Sequence, residues 1–198
     1  MKKLILIGAG GHGKSVYLVA KSTNRWTEIF FLDDNLVASN IIGNFKKRFD
    51  FKDDDFFVSI GNNLVRKSII EKLQLEGFRL VNIISSTSDV TNARIGIGSI
   101  VMNHVFINVD SIIGDGVIIN NVVFIEHDCN IGNYSHLSPK VTVAGTTKIG
   151  QNSWLGVSST VINNITIGNE IIVGAGSVVV KDLKKSGTYV GIPAKQVK

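Results

Sequence analysis

The amino-acid sequence predicts two architectures in series: a small, mostly parallel, doubly wound α/β sheet, then a parallel β-helix built from hexapeptides. Three observations carry this. Over residues 1–85, apolar runs that stop at glycine or aspartate alternate with helix-like stretches. From Ile95 onward the apolar period changes to six. The first apolar run leads straight into "GAGGHGKSV" (Gly8 to Val16), a glycine turn of the kind that opens a phosphate-facing helix.

Taken in order, Lys3 to Gly8 reads as a buried strand, and Val16 to Lys21 continues as a helix. Ile29 to Leu32 is a second strand, closed by Asp33 and Asp34. Phe56 to Ile60 is a third, closed by Gly61. Asn62 and Asn63 can cap a helix over Leu64 to Glu76, with Gly77 as its stop. Leu80 to Ile84 is a fourth strand. The β-α-β-β-α-β order is about half of a Rossmann-like unit.

Every sixth residue from Ile95 to Val173, Ile125 and Ile131 among them, is Ile, Val or Leu, fourteen in succession. These three types make up 62 of the 198 residues. Chance would give such a run about once in ten million fixed-frame trials. A period of six is neither that of a helix nor that of a flat strand. It fits a prism with three flat faces, one hexapeptide each, and a coil of about 18 residues. The aliphatics fill the interior, and small residues four places later, such as Ser99, Cys129 and Ser153, fit the corners. Coils stack at about 4.8 Å. The expected division is a sheet domain over 1–85, a linker over 86–94, a β-helix of a little under five coils over 95–180 and a C-terminal tail over 181–198.

A composition of 44% hydrophobic and 19% charged residues is that of a globular chain. The run Leu4 to Ile7 is too short for a signal peptide or a membrane span, so the default location is cytoplasmic. Cys129 is the single cysteine, which leaves no intrachain disulfide and no cysteine zinc cluster. The net charge of +5 is unevenly spread. Between Ile95 and Val180 the basic residues are Lys140 and Lys148, whereas the stretch from Lys181 to Lys198 holds five lysines against Asp182. That favours a local phosphate site near the C-terminus over nucleic acid, which wants a long basic stripe with interleaved aromatics.

The glycine turn satisfies two patterns at once. Gly8, Gly10 and Gly13 fit the dinucleotide fingerprint; Gly8, Gly13, Lys14 and Ser15 fit the P-loop. A P-loop enzyme needs a larger sheet, a Mg²⁺ site and a water-positioning residue, more than so small a domain provides. The dinucleotide reading gains from Asp33, 20 residues after Gly13, where a ribose-binding acid is expected. A nicotinamide site needs the second half of that fold, which the β-helix replaces. Half a unit suits a mononucleotide or a nucleotide sugar.

The repeat, closing on "GIPAK" (Gly191 to Lys195), resembles the hexapeptide-repeat acyltransferases. With "GAGGHGKSV", "FLDDN" and "SIGNN" ahead of it, nearly the whole chain is similar to the bacterial sugar O-/N-acetyltransferases. These acetylate nucleotide-linked amino sugars, or sialic acid, for surface glycans. The resemblance implies a left-handed parallel β-helix, a homotrimer, and acetyl-CoA as co-substrate in clefts between subunits. It implies a sugar nucleotide across Gly10, Gly11, His12, Asp33, Asp34 and Gly61, all at the carboxyl ends of strands. It implies acetyl-CoA contacts at His136, Val157 and Ala175, and CoA phosphates near Lys195, with Lys181, Lys184 and Lys185 as further candidates.

His127 follows the inward Ile125 by two, so it points outward, between Glu126 and Asp128. An outward imidazole beside a carboxylate suits a general base; a solvated surface histidine is the alternative that residue chemistry alone leaves open. The resemblance makes His127 the base and Asp128 the acid that raises its basicity, with Glu126 second. One coil on from His127 lies Gly145, where a thioester can approach and the N–H can bind an oxyanion; a plain corner turn is the other reading. Cys129 occupies an inward corner slot, a core position rather than that of a reactive thiolate. His104, His127 and His136 are 23 and 9 residues apart and do not stack on one edge, so no metal is expected. The implied reaction is direct transfer of acetyl from acetyl-CoA to the amino group of a UDP- or GDP-linked amino sugar. Sialic-acid O-acetylation is one alternative, and a non-catalytic nucleotide-binding trimeric scaffold is another.

Overall fold

The computed structural model describes residues 2–197. β1 (Leu4–Ile7), β2 (Ile29–Leu32), β3 (Ile41–Gly43), β4 (Asp55–Val58) and β5 (Arg79–Leu80) form a parallel sheet in the order β3-β2-β1-β4-β5. α1 (Gly11–Ser22) follows β1, and α2 (Asn63–Leu75) follows β4. β1 is buried on both sides, which is why it reads as an unbroken apolar run. Leu4 and Leu6 pack with Val16 and Val19 of α1, whereas Ile5 and Ile7 pack with Ile70 and Leu73 of α2. The Asn62 side chain caps α2 by accepting from the Val65 N–H. Gly77, at φ +72, ends it. The three-residue edge strand β3 and a 3-10 helix over Phe45–Phe51 fill a region that the sequence left blank.

The rest of the chain is a parallel β-solenoid with three faces. Face I stacks Ile83–Ile84, Ile100–Val101, Ile118–Ile119, His136–Leu137, Trp154–Leu155, Ile171–Val173 and Gly187–Val190. Face II runs from Asp89–Val90 to Val178–Val179 and has six strands; face III runs from Arg94–Ile95 to Thr166–Ile167 and has five. The aliphatics of the six-residue pattern form one continuous core from Val101 to Val179. Hydroxyls in the small corner slots tie the coils together. Ser153 Oγ donates to the Gly168 carbonyl at 3.0 Å and accepts the Ile171 N–H at 3.2 Å. Cys129 fills the same kind of slot, buried, with its Sγ 3.3 Å from the Ala144 carbonyl, and burial pushes its thiol pKa up.

From Ile95 to Val173 each inward aliphatic of the repeat is followed three places later by a corner residue in the left-handed region, as at Asp110, Val122, Asp128 and Asn164. Asparagine and aspartate tolerate that backbone; a β-branched residue does not. Val122, at φ +61 and 49% exposed, carries the strain with little packing in return. Val122→Asn is expected to stabilise the protein by about 1 kcal/mol, a rise of roughly 2–4 °C in Tm on thermal denaturation. An unchanged or lower Tm would show that the corner is not strained.

The boundaries differ from the sequence reading in three places, two of them because the six-residue frame slips at the ends and one because the chain crosses there from the sheet into the solenoid. Val90 pairs with Ile107 and Ile95 pairs with Ile113, so the first of these steps is one residue shorter than the second. The shortened step from Val90 to Ile95 hides the first coil from a strict six-residue count. The stretch 86–94, expected as a linker, contains the first strand of face II and the start of face III. The single strand expected over Leu80 to Ile84 is two strands in different sheets, β5 and the first of face I. At the other end, of the tail expected over 181–198, residues 181–197 are not loose, and Lys198 lies outside the described residues. Leu183 is buried and bridges Ile167, and Gly187–Val190 continues face I beside Ile171–Val173.

The sheet domain sits on the early coils of face I. Ile83, Ile100, Met102 and Ile118 share one apolar cluster with Leu4, Leu6, Val16 and Phe57. Tyr134, at the corner between faces III and I, joins the cluster of Ile70 and Leu73. Two surfaces that each read as half-buried alone are thereby buried against one another.

Candidate active site

The carboxyl ends of β1, β2 and β4 lie side by side because β1 is the central strand of the three. Gly8 leaves β1 at φ +102, and Gly10 occupies the N-cap of α1. Asp33, at the end of β2, accepts from the Ala9 N–H at 2.8 Å with one oxygen. Its other oxygen accepts from Asn35 and Leu36 N–H groups at 2.9 and 3.0 Å. Burial alone would raise the Asp33 pKa, but these three backbone donors outweigh it and hold the carboxyl below its ordinary value. Asp34 accepts from the Phe45 N–H at 2.8 Å. Both acids thus already fasten loops around the turn, a local task that sequence reading missed. Ser59 does the same at the end of β4, donating to the Gly8 carbonyl at 2.6 Å. Ser15, of the P-loop pattern, turns its hydroxyl back to the Gly11 carbonyl at 3.4 Å.

Between this edge and face I opens a cleft of about 750 Å³. Gly61 to Leu64, at the start of α2, form one wall; His136, Asn152, Trp154 and Ile172 form the other. The outward residues of face I explain the second wall. Ile100 and Ile118 are covered by the sheet domain, and His136, Trp154 and Ile172 continue the same column past its edge. Trp154 is 46% exposed, yet fixed by its Nε1–H donating to Ser138 Oγ at 2.8 Å. Its ring stacks on His136 with centroids 6.2 Å apart, and His136 lies 6.4 Å from His12 of the glycine turn. Burial, aided by the Arg66 guanidinium, lowers the pKa of His12 to about 4. The same two causes, with His12 itself third, bring His136 to about 3. Both rings are neutral at neutral pH. Two buried polar atoms here, His12 Nε2 and Asn152 Oδ1, have no hydrogen-bond partner among the described residues.

His127 stands elsewhere, at the corner between faces II and III. Its Nδ1 is 2.8 Å from Asp128 Oδ2, which leaves Nε2 as the outward nitrogen. Asp128 can lie against the ring because its backbone takes the left-handed corner conformation, φ +58. Glu126 is engaged otherwise, accepting from Asn108 Nδ2 at 2.8 Å and from the His127 N–H at 3.2 Å. Gly145 lies one coil up, directly against the imidazole. A Cβ at Gly145 would stand 2.8 Å from both His127 Cε1 and Nε2.

Most of the expected site residues therefore fall into two groups, with the remaining acetyl-CoA candidates apart from both. Gly10, Gly11, His12, Asp33, Asp34 and Gly61 share the carboxyl edge, with His136 facing them. His127, Asp128 and Gly145 form the second group at the corner opposite face I, since each corner of a three-faced prism is opposite one face. Val157 and Ala175 stack at the corner between faces I and II, linked by the Gly176 N–H donating to the Val157 carbonyl at 2.8 Å. Lys181, Lys184, Lys185 and Lys195 are exposed on the last turn. His104, His127 and His136 occupy three different places on the prism. No group of three or more His, Cys, Asp or Glu among the described residues is placed to hold a metal. No helix among them is long and apolar enough to cross a membrane.

Comparisons with known proteins bear on both halves. Residues 3–73 match the PglD N-terminal domain. The chain is 35% identical to the acetyltransferase domain of PglB from Neisseria gonorrhoeae, covering 100% of each chain with a TM-score of 0.97. That domain has also been solved in complex with acetyl coenzyme A. PerB from Caulobacter crescentus, solved with CoA and GDP-perosamine, is 36% identical over 100% of this chain and 98% of its own, with a TM-score of 0.95. WeeI from Acinetobacter baumannii, at 24% identity over 100% of each chain and a TM-score of 0.89, shares the fold. Identity at this level across the whole length, sheet domain and solenoid together, settles the relationship: the chain belongs to the PglD-like family of acetyl-CoA-dependent sugar N-acetyltransferases.

Proposed function

We propose that this enzyme transfers the acetyl group of acetyl-CoA to the amino group of a UDP- or GDP-linked amino sugar for bacterial surface glycan synthesis, with His127 as general base. The observation that carries the reading is the His127–Asp128 pair at 2.8 Å, with Nε2 turned to the open surface over Gly145. The acceptor amine attacks the thioester carbonyl carbon, and its proton passes to His127 Nε2. Asp128 holds the ring by Nδ1 and stabilises the imidazolium that forms. The carbonyl oxygen becomes an oxyanion, for which the Gly145 N–H is the proposed donor. The C–S bond then breaks and CoA leaves as the thiol, taking up the proton.

The nucleotide of the acceptor belongs at the carboxyl edge, on Gly10, Gly11, His12 and Gly61, with Asp33 and Asp34 bracing the loops. The unpartnered His12 Nε2 and Asn152 Oδ1 support a polar ligand in the cleft. PerB, solved with CoA and GDP-perosamine, supports both ligand classes. His136, Val157 and Ala175 line the acetyl-CoA path on and beside face I, and Lys195 is placed for CoA phosphate. The His127 corner faces away from the cleft of its own chain. A homotrimer in which that corner meets the cleft of a neighbouring subunit brings the two groups together. A cytoplasmic location follows from where nucleotide sugars and acetyl-CoA are found.

The test is a thiol-release assay with acetyl-CoA over UDP- and GDP-linked amino sugars, with sialic acid as the hydroxyl acceptor. Release with amino sugars alone is the expected result. Release with sialic acid alone would replace the reaction with O-acetylation, and no release with any acceptor would leave a binding scaffold.

A further inference from the structure

Arg66 is a fully buried cation whose hydrogen bonds, among the described residues, all go to neutral groups. Its Nε donates to the Gly116 carbonyl at 2.8 Å. Nη1 donates to the carbonyls of Ile60 and Gly61 at 3.1 and 3.0 Å. Nη2 donates to the Tyr134 carbonyl at 2.8 Å and to Asn63 Oδ1 at 2.9 Å. Burial lowers the Arg66 pKa to about 9, still charged at neutral pH. Burying such a charge is costly, and a well-packed apolar residue would join two surfaces more cheaply. What the guanidinium adds is a rigid fork of five donors.

That fork ties the wall at Gly61 to the solenoid corner that leads into the other wall. Ile60 and Gly61 belong to the loop after β4; Gly116 and Tyr134 belong to the corner of faces III and I. Asn63, which accepts from Arg66, donates through Nδ2 to the Asn152 carbonyl at 3.2 Å. Gly116, Tyr134 and Asn152 occupy the same corner in three successive coils. With the Ser135 and Ser153 carbonyls also accepting, at 3.4 and 3.2 Å, the first turn of α2 grips carbonyls from each of three coils, spaced by about 4.8 Å. Sliding the sheet domain along the solenoid would break all of these contacts at once. His136 follows two residues after Tyr134, so the same grip sets the height of the sheet edge against the His136 and Trp154 column.

We propose that Arg66, with Asn63, is a positioning residue for the acceptor: it fixes the height and separation of the sheet domain's carboxyl edge relative to the solenoid. This rests on the transferase reading above. His127, Gly145, His136, Val157 and Ala175 all stand on the solenoid, whose coils are held by their own ladder. The backbone that carries the base and the acetyl-CoA path is thus held without Arg66, which bears on His136 through its charge, a charge that lysine keeps; the acceptor's edge depends on the fork itself.

The experiment is steady-state thiol release by the full-length wild type, Arg66→Lys and Asn63→Ala, with each substrate varied in turn. Lysine keeps the charge but replaces the fork by a point donor. For Arg66→Lys, kcat/KM for the amino-sugar nucleotide should fall 10- to 100-fold, as expected for a misplacement of about 1 Å. KM for acetyl-CoA should stay within about twofold, a ratio that mere destabilisation would not produce. Asn63→Ala should shift the same ratio in the same direction by roughly 3- to 10-fold, and it decides alone if Arg66→Lys does not fold. Equal changes for both substrates, or a lower Tm with unchanged constants, would overturn the proposal while leaving the transferase reading intact. A wild type that releases no thiol would defeat that reading and this one with it.

Discussion

Replacing His127 by alanine should lower kcat for acetyl transfer by about 10²- to 10⁴-fold, the usual weight of a positioned general base. The fold should not notice. The His127 side chain is 51% exposed, and the corner backbone is held by the Asp128 N–H to the Val109 carbonyl at 3.1 Å and the Thr146 N–H to the His127 carbonyl at 2.9 Å. Neither bond involves the imidazole. The residues proposed for acetyl-CoA stand on face I and at its corner with face II, so binding of acetyl-CoA should also persist. Thiol release, acetyl-CoA titration and thermal denaturation together separate these effects. A variant with wild-type kcat would remove His127 from the mechanism. One that loses acetyl-CoA binding in proportion to kcat would make it a binding group instead.

Gly13→Ala should destabilise the sheet domain by about 3 kcal/mol, at the upper end of overpacking costs. A Cβ at Gly13 would overlap the Gly8 carbonyl oxygen and lie 3.1 Å from its carbon and 3.4 Å from Phe31 Cε1. Gly8 cannot retreat, because its carbonyl accepts from Ser59 Oγ and its own φ is +102. The same change at Gly10 or Gly11 meets nothing within 4 Å and should leave the unfolding midpoint nearly unchanged. Urea unfolding followed by the fluorescence of the buried Trp26 measures the contrast. Equal stability of Gly13→Ala and wild type would show that close packing of helix on strand is not the third glycine's task.

Much of the fold was legible because its rules are local and repeated. An inward aliphatic at every sixth position is the way to fill a thin three-faced prism, so Ile95 to Val173 announced the coils. Legibility stopped where the repeat lost a residue, between Val90 and Ile95, since a periodic count has no memory across a slip. The pairing of His127 with Gly145 could be read from the coil length, and the structure places them in contact. The separation of His127 from His136 was equally readable. The step between them is half a coil, and half a coil is the opposite side of the prism. Arg66 carried no such signal. In "NNLVRKSII" it resembles any solvated helix arginine, and only the solenoid carbonyls around it show otherwise. The second tasks of Asp33 and Asp34 were hidden for the same reason: their partners are backbone N–H groups, which no side-chain pattern records.

A stack of parallel strands offers an unsatisfied edge at each end, and identical stacks could in principle join there into a fibre. At the lower end of the solenoid the sheet domain crowds the first strands, with Ile83 buried beneath it. At the upper end the chain reverses, and Lys195–Gln196 pairs antiparallel with Gly187–Val190. An antiparallel strand cannot template another parallel coil in register, and its exposed lysine adds charge to the rim. The segment from Gly187 to Gln196 thus acts as a terminator that keeps a self-complementary repeat finite.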